Sequence, residues 1–268
     1  PLSEFLRKLK GCTCGHETIE LAALLPGDAL ELSERLLARH SPDQTSPKLA
    51  QTIASESLGN PLYIHEMVRF FARPQPPGEP ARPALTLAGL LHIRVAQLPE
   101  DTRYLMEIIA VAGRPITLTH TLAAAGLDGD VRPALQHLVN AELLSLNDVD
   151  DDQELACSDE KARSAVLAQL DGHALRGFHE RLAHTYEQAG DANPERLAFH
   201  YRAAREFELA NRYTVAAADL AWARHDFAQA ARHYATAVEL NTLDPEVSHE
   251  LRLKLARALQ AAGRDQEV

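Results

Sequence analysis

The chain has 268 residues, and 27 Lys and Arg against 38 Asp and Glu give a formal net charge of −11. This acidity makes nucleic-acid binding unlikely, because duplex affinity depends on Lys and Arg that neutralise phosphates. Three cysteines exclude a disulfide-stapled scaffold and indicate a cytoplasmic protein, and no apolar run reaches the roughly 20 residues of a transmembrane helix. Ala and Leu dominate the apolar residues, and aromatic residues make up only 5%. The composition therefore predicts a mainly α-helical protein.

The first 98 residues are predicted to be helical, with one stiff linker. After a short helix that ends at Gly11, apolar residues at helical spacing predict three helices, at Asp28–His40 with Asp28 as N-cap, Lys48–Leu58 and Leu62–Ala72. Gly59 and Asn60 end the second of these, and Pro61 takes the first position of the third. Five prolines in residues 73–83 exclude helix there, and Leu85–Leu98 is helical again.

Residues 99–158 carry the signals of three short helices and a β-hairpin. The predicted helices start after Pro99 and end at Gly113, run from Thr117 to Ala125 with Thr117 or Thr119 as cap, and run from Asp128 to Ala141. Two strands follow, at Leu143–Leu146 and Glu154–Cys157, joined by a polar acidic turn over residues 147–153. Three short helices followed by a hairpin predict a winged helix.

From residue 159 onward the sequence predicts helices alone, in pairs. Their predicted bounds are Glu160–Leu170, Ala174–Ala189, Pro194–Arg205, Glu206–Ala223, Phe227–Leu240 and Pro245–Ala262. The pattern Phe207, Ala210, Tyr213 recurs as Phe227, Ala230, Tyr234, and such self-similarity is typical of helical-hairpin repeats. The last helix lacks a pairing partner, and the first residue is not Met. Both chain ends are therefore interpreted as cuts in a longer protein.

Motifs for common enzyme chemistry are missing. The chain has no Gly-x-x-x-x-Gly-Lys-Ser/Thr phosphate loop, no Gly-x-Gly-x-x-Gly and no Gly-x-Ser-x-Gly. Each of the four His-Glu pairs, which begin at His16, His65, His179 and His249, lacks the second His that a zinc peptidase needs four residues on. We therefore expect no catalytic residues in this chain.

Metal and DNA sites are also disfavoured by the sequence. Cys12, Cys14 and His16 lack a fourth ligand and the usual Cys-x-x-Cys spacing, and the acidic run 148–154 has no glycine for a calcium loop. The third helix of the predicted winged helix offers Arg132 and His137 as its basic or titratable groups, too few for a recognition helix. His200 and His233 are interpreted as helix-packing or solvent-facing residues.

The segment Gly59–Val68, with the sequence Gly-Asn-Pro-Leu-Tyr-Ile-His-Glu-Met-Val, resembles a signature of the signal-transduction ATPases with numerous domains (STAND), a class related to the AAA+ proteins. The resemblance implies that Pro61 packs against the adenine of ATP or ADP, with Gly59 and Asn60 beside it as cofactor-binding residues. The phosphate loop and the metal-binding Asp precede this segment in the family. ATP or ADP is therefore expected to bind only to the intact parent, and not tightly to this chain.

The resemblance continues through Ile93–Pro99 and Ile108–Arg114, which look like the entry into the family's winged helix. Cys157–Val166 looks like the exit from that domain, but Asp159 stands where the family usually has His, and Cys157 where it has Phe. The resemblance implies a helical lid at residues 1–98, a winged helix at 99–158 and tetratricopeptide-like repeats at 159–268.

The expected function is that of a regulatory and scaffolding part of a multidomain ATP-binding signalling ATPase. Its partners would be the other domains of the parent, such as a Ser/Thr protein kinase, a cyclase or a DNA-binding regulator, and proteins bound by the repeats. Two alternatives remain open at this point. One is a free-standing helical-repeat adaptor without a nucleotide role, and the other is a winged-helix transcription regulator.

Overall fold

The computed structural model describes residues 22–40, 46–72, 86–127, 129–149, 152–190, 193–240 and 245–263. These residues form thirteen α-helices and one small three-stranded sheet, so the predicted mainly-α fold is confirmed. The chain divides into two compact units, one ending at Pro99 and the other beginning at Glu100. In the described ranges, no helix has both the length and the apolar character needed to cross a membrane.

The first unit contains four described helices: α1 (Pro26–His40), α2 (Pro47–Glu56), α3 (Pro61–Ala72) and α4 (Leu87–Ala96). Helices α1, α2 and α3 pack on one another around Leu37, Ile53, Ile64 and Met67, all of which are fully buried. Large apolar side chains at helical spacing put one face of each helix into this core, and burial of that face stabilises the unit.

Helix boundaries in the first unit differ from their predictions by a few residues: α2 ends at Glu56 and not at Leu58, and α4 spans Leu87–Ala96 and not Leu85–Leu98. Helix α1 begins at Pro26, so Asp28 lies in its first turn and is not the N-cap. A carboxylate in the first turn is still favourable, because it faces the positive end of the helix dipole. The predicted helix before Gly11 and the proline-rich residues 73–83 lie outside the described residues.

The second unit begins with what we call the helix–sheet module, residues 100–157. Its elements are α5 (Glu100–Ala112), β1 (Ile116–Thr117), α6 (Leu118–Ala125), α7 (Arg132–Asn140), β2 (Leu144–Val149) and β3 (Asp152–Cys157). The strands are antiparallel in the order β1-β3-β2, with Leu155 of β3 paired with Ile116 on one side and with Leu146 on the other. Ile116 and Leu155 are buried, as are Leu105 and Ile109 of α5, the helix that packs against β3.

Three predictions for this module are corrected by the structure. Strand β1 was not predicted, because two residues are too short to show alternation; its second residue, Thr117, also caps α6 by accepting from the backbone N–H of His120 at 3.2 Å. Helix α7 begins at Arg132, not at Asp128. The expected turn over residues 147–153 is mostly strand, because the antiparallel pairing continues to Val149 and Asp152 despite the acidic residues.

After α8 (Glu160–Leu167), the unit continues in a series of packed helices that we call the hairpin array, residues 172–261. Its helices are α9 (Gly172–Gln188), α10 (Pro194–Ala204), α11 (Phe207–Ala223), α12 (Phe227–Leu240) and α13 (Pro245–Ala261), each packed on the next. Their bounds agree with the predictions to within two residues. The starts are well marked in the sequence, because Asp171 and Asn193 each accept two backbone N–H groups as N-caps.

The array repeats a three-part polar contact that we call the acid–tyrosine–cation triad. In the first triad Tyr201 donates to Glu187 at 2.5 Å, and Arg212 donates to the same carboxylate at 2.9 Å. In the second, the hydroxyl of Tyr234 donates to Asp219, and Nζ of Lys254 lies 3.3 Å from that carboxylate. The tyrosines are 234 − 201 = 33 residues apart, close to the ~34-residue period of tetratricopeptide repeats.

Candidate functional site

The turn before α3 is shaped by Gly59. Leu58 and Gly59 both have left-handed backbone angles, with φ of 51° and 75°. The backbone N–H of Leu24 donates to the carbonyl of Gly59 at 2.8 Å, and a Cβ on Gly59 would lie 2.3 Å from the carbonyl oxygen of Leu24. Glycine is therefore required here for two reasons, the positive φ and the close approach of a second backbone segment.

Asn60 and Pro61 complete this turn and start α3. The Asn60 side-chain oxygen accepts from the backbone N–H of Leu62 at 2.9 Å, which makes Asn60 the N-cap. Pro61 occupies the first helical position, as predicted, and its ring is exposed. Leu58 and Leu25 on either side of the Gly59–Leu24 contact are 64% and 71% exposed. We call Leu25, Leu58 and Pro61 the exposed apolar turn.

The remaining residues of the motif are mainly structural. Ile64, Met67 and Val68 are fully buried in the core of the first unit. His65 lies with Nδ1 4.0 Å from Oε1 of Glu66 and in edge contact with the ring of His40, at 6.0 Å between centroids. Among the described residues, no three His, Cys, Asp or Glu side chains are grouped so that they could hold a metal ion. Cys12, Cys14 and His16 lie outside those residues.

Helix α7, the helix that would read DNA in a winged helix, has its arginine already paired. The Arg132 guanidinium donates to both carboxylate oxygens of Asp130, at 2.8 and 2.9 Å. This contact lowers the pKa of Asp130, because the side-chain hydrogen bonds from Arg132 favour the ionised carboxylate. His137 is exposed. The helix therefore offers no array of free cations to a phosphate backbone.

The exit from the helix–sheet module is held by Asp159 and Arg163. Asp159 is the N-cap of α8 and accepts from the backbone N–H of Ala162 at 2.7 Å. Arg163 donates from Nε to the carbonyl of Ala110 at 2.9 Å, and from Nη1 to Glu160 at 2.8 Å. Burial raises the pKa of the Cys157 thiol to about 12, so this cysteine is not a nucleophile at neutral pH.

Within the second unit, a cavity of about 580 Å³ lies between the helix–sheet module and the hairpin array. We call it the arginine-lined cavity, because four guanidinium groups border it; they belong to Arg114, Arg163, Arg196 and Arg202. Two carboxylates, Glu154 and Glu195, also border it, which leaves a formal charge of 4 − 2 = +2. The cavity is therefore basic in a chain that is acidic as a whole.

The cavity is also bordered by one member of a buried histidine pair. Nδ1 of His200 lies 2.9 Å from Nδ1 of His179, and the two side chains are 1% and 7% exposed. Burial lowers the pKa of His179 to about 4 and that of His200 to about 3. Both rings are neutral at pH 7, so one carries its proton on Nδ1 and donates it to the other.

Sequence reasoning placed the helix boundary at Gly59–Pro61, but it indicated neither the exposed Leu25 and Leu58 nor the cavity. Gly59, Asn60 and Pro61 are adjacent in the chain, and their residue types alone specify a left-handed turn and a helix start. Arg114 and Arg202 are brought to one cavity because α9 packs on the helix–sheet module and α10 packs on α9, and no sequence spacing indicates this. His179 stood out only as half of a His-Glu pair, and its partner is His200.

The chain was compared with known proteins in two ways, with family models and with curated sequences. No family model matches the chain, and no curated protein sequence matches it either. The function is therefore argued from the residues of the two sites themselves.

Proposed function

We propose that this chain is the regulatory part of a multidomain signalling ATPase, with residues up to Leu98 as the lid over the nucleotide. ATP or ADP binds to the intact parent, and its adenine packs against Pro61. The helix–sheet module acts as the winged helix that transmits the lid position, and the hairpin array binds protein partners. The chain alone does not hydrolyse ATP, since the phosphate and metal ligands belong to the part of the parent that precedes it.

The observation that carries the proposal is the geometry of the exposed apolar turn. Gly59 is fixed by its contact with Leu24, so the start of α3 is held in place before any ligand binds. Pro61 presents a rigid ring without an N–H group, and Leu25 and Leu58 leave further apolar surface beside it. A rigid apolar face suits the flat surface of a purine base, and the Gly-Asn-Pro motif supports this assignment.

The test uses the chain together with the coding sequence that precedes it in its gene. We expect a phosphate loop in frame within about 200 residues, the size of one domain, and calorimetry should then show ATP and ADP binding to the extended protein. A Pro61→Asp substitution should weaken ADP binding at least tenfold. Pro47→Asp is the matched control, because Pro47 is also exposed at the first position of a helix in the same unit.

Two results would contradict the proposal. One is an upstream sequence without a phosphate loop, or an extended protein that binds no nucleotide. The other is an equal loss of ADP binding in the Pro61 and Pro47 variants, which would show that the exposed apolar turn does not contact the base.

A helical-repeat adaptor without a nucleotide role is the second candidate function. It is favoured by the 33-residue spacing of the two triad tyrosines, Tyr201 and Tyr234, because repeats of this length build extended protein-binding surfaces. The same experiment separates the two candidates. An adaptor leaves the extended protein without nucleotide binding, whereas a nucleotide switch requires it.

A further inference from the structure

We propose that the arginine-lined cavity is a binding site for a small organic anion, whose carboxylate or phosphate group is held by Arg114 and Arg202. The site lies in the second unit and does not involve the exposed apolar turn. It therefore goes beyond the proposed function and does not depend on nucleotide binding.

The charge of the cavity is the first argument. Four guanidinium groups and two carboxylates border the cavity, and one of the guanidinium groups, that of Arg163, is already paired with Glu160. The side chains of Arg114 and Arg202 are exposed and form no ion pair with any residue that the structure describes. Like charges gathered in one cavity repel one another, so this arrangement of arginines favours the binding of an anion.

The other two arginines, Arg163 and Arg196, are held in place by contacts of their own, so part of the positive charge of the cavity is fixed before a ligand binds. Arg163 is fixed by the carbonyl of Ala110 and by Glu160, and the guanidinium of Arg196 lies over the ring of Tyr186 at 4.8 Å. Gly113, with a φ of 70°, lets Arg163 approach closely, because a Cβ at this position would lie 3.3 Å from its Nη2. Positive charge that is fixed in advance costs little ordering when an anion binds.

A neutral buried group adds polar recognition to the charge. His200 borders the cavity, and its Nδ1 is engaged with His179. Its second ring nitrogen, Nε2, has no hydrogen-bond partner among the described residues. This nitrogen is not sealed from solvent, so a ligand in the cavity can reach it. His200 thus offers one further polar contact to an anion that Arg114 and Arg202 hold.

The size and the apolar lining indicate an organic anion and not a bare inorganic ion. About 580 Å³ falls within the range of roughly 300–1,000 Å³ that small-molecule sites occupy. Phe199 borders the cavity with 44% of its surface exposed and contacts the ring of His200 at 5.1 Å between centroids. The cationic groups and this aromatic ring therefore fit a ligand with an acidic group and a carbon skeleton.

The test measures binding of citrate and of phenyl phosphate to the whole 268-residue chain by calorimetry, at constant ionic strength set with sodium chloride. The variants are Arg202→Gln and Arg114→Gln. Arg252→Gln is the matched control, because Arg252 is an exposed arginine of α13 that does not border the cavity. Each cavity substitution should weaken binding at least tenfold, as expected when a charge-assisted contact is lost, and the control should leave it unchanged.

Each outcome decides the proposal. Binding of citrate alone assigns a carboxylate ligand, binding of phenyl phosphate alone assigns a phosphate ligand, and sensitivity to both arginines supports the site in either case. The proposal is overturned if neither probe binds at 10 mM, a concentration well above the dissociation constant of ~1 mM expected for a weak site. It is also overturned if Arg252→Gln weakens binding as much as the cavity substitutions do. Circular dichroism of each variant shows whether it folds, and the two independent cavity variants keep the test decisive if one does not. Failure of the nucleotide experiment on Pro61 would leave this result unaffected.

Discussion

The core of the first unit and the core of the hairpin array are built from different side chains. In the first unit, large apolar residues such as Ile53, Ile64 and Met67 fill the space between the helices. Where α11, α12 and α13 pack together, the buried positions are mostly alanine, for example Ala230 and Ala237, and the helices approach closely around them.

This difference determines which substitutions destabilise each region. A core of large side chains loses stability when volume is removed, because a cavity remains. A core of alanines loses stability when volume is added, and the tyrosines between its helices must find partners for their hydroxyl groups. The acid–tyrosine–cation triads supply those partners, so polar contacts have a structural role in the array that they lack around Ile64.

The largest expected effect is in the first unit. Ile64→Ala should lower its free energy of unfolding by about 4 kcal/mol, because Ile64 is fully buried and a cavity would be left. Urea denaturation followed by circular dichroism measures this, while the single tryptophan, Trp222 of α11, reports on the array alone. Leu58→Ala, at a residue that is 64% exposed, should change stability by less than about 0.5 kcal/mol. Equal effects at the two positions would contradict the comparison.

The second expected effect is a pH dependence of the array. The pKa values of His179 and His200 are lowered to about 4 and about 3 by burial, so between pH 6.5 and 4 the unfolded chain binds protons that the folded chain does not. The free energy of unfolding is therefore highest above pH 6.5 and falls on acidification. At pH 5.5 the two rings together should lower it by about 3 kcal/mol relative to neutral pH.

Urea denaturation followed by Trp222 fluorescence at pH 7.5 and 5.5 measures this loss. His179→Phe/His200→Phe should flatten the dependence, whereas His249→Gln, at an exposed residue of α13, should not. A pH dependence that survives the double substitution would assign it to other groups.

The third expected effect comes from adding side-chain volume, whereas the first comes from removing it. Ala230→Leu should destabilise the array by about 2 kcal/mol, because Ala230 is fully buried against neighbouring helices and extra methylenes force them apart. Ala228→Leu on the same helix is the control, since Ala228 is exposed and should tolerate the change. The unfolding midpoint in urea measures both variants, and a neutral Ala230→Leu would show that the array is loosely packed.

The smallest expected effect tests the triads. Tyr234→Phe removes the hydroxyl that donates to Asp219 and should cost about 1 kcal/mol, the ordinary net value of one hydrogen bond. Tyr201→Phe should cost at least as much, because Tyr201 is fully buried and its bond to Glu187 joins α9 to α10. Thermal unfolding of the two variants gives this order, and no loss in either would remove the structural role of the triads.

Sequence reasoning worked best where local chemistry decides the outcome. The bounds of the array helices agree with their predictions to within two residues, because helical spacing of apolar residues and short connections mark each helix. Sequence reasoning failed where strand pairing determines the structure. The two residues of β1 and the acidic ends of β2 and β3 form strands because they pair with neighbouring strands in the sheet. The same limit explains why the turn at Gly59 was found and the arginine-lined cavity was not.

Helix α11 belongs to both triads, since it supplies Arg212 to the first and Asp219 to the second. Opening of this one helix would break the polar contacts of α9 and α10 on one side and of α12 and α13 on the other. Repeat arrays often unfold one hairpin at a time, because each repeat contacts only its neighbours. Here the shared helix couples the hairpins, so the array should unfold cooperatively. A ligand that stabilises one end of the array would therefore slow amide hydrogen exchange at the other end.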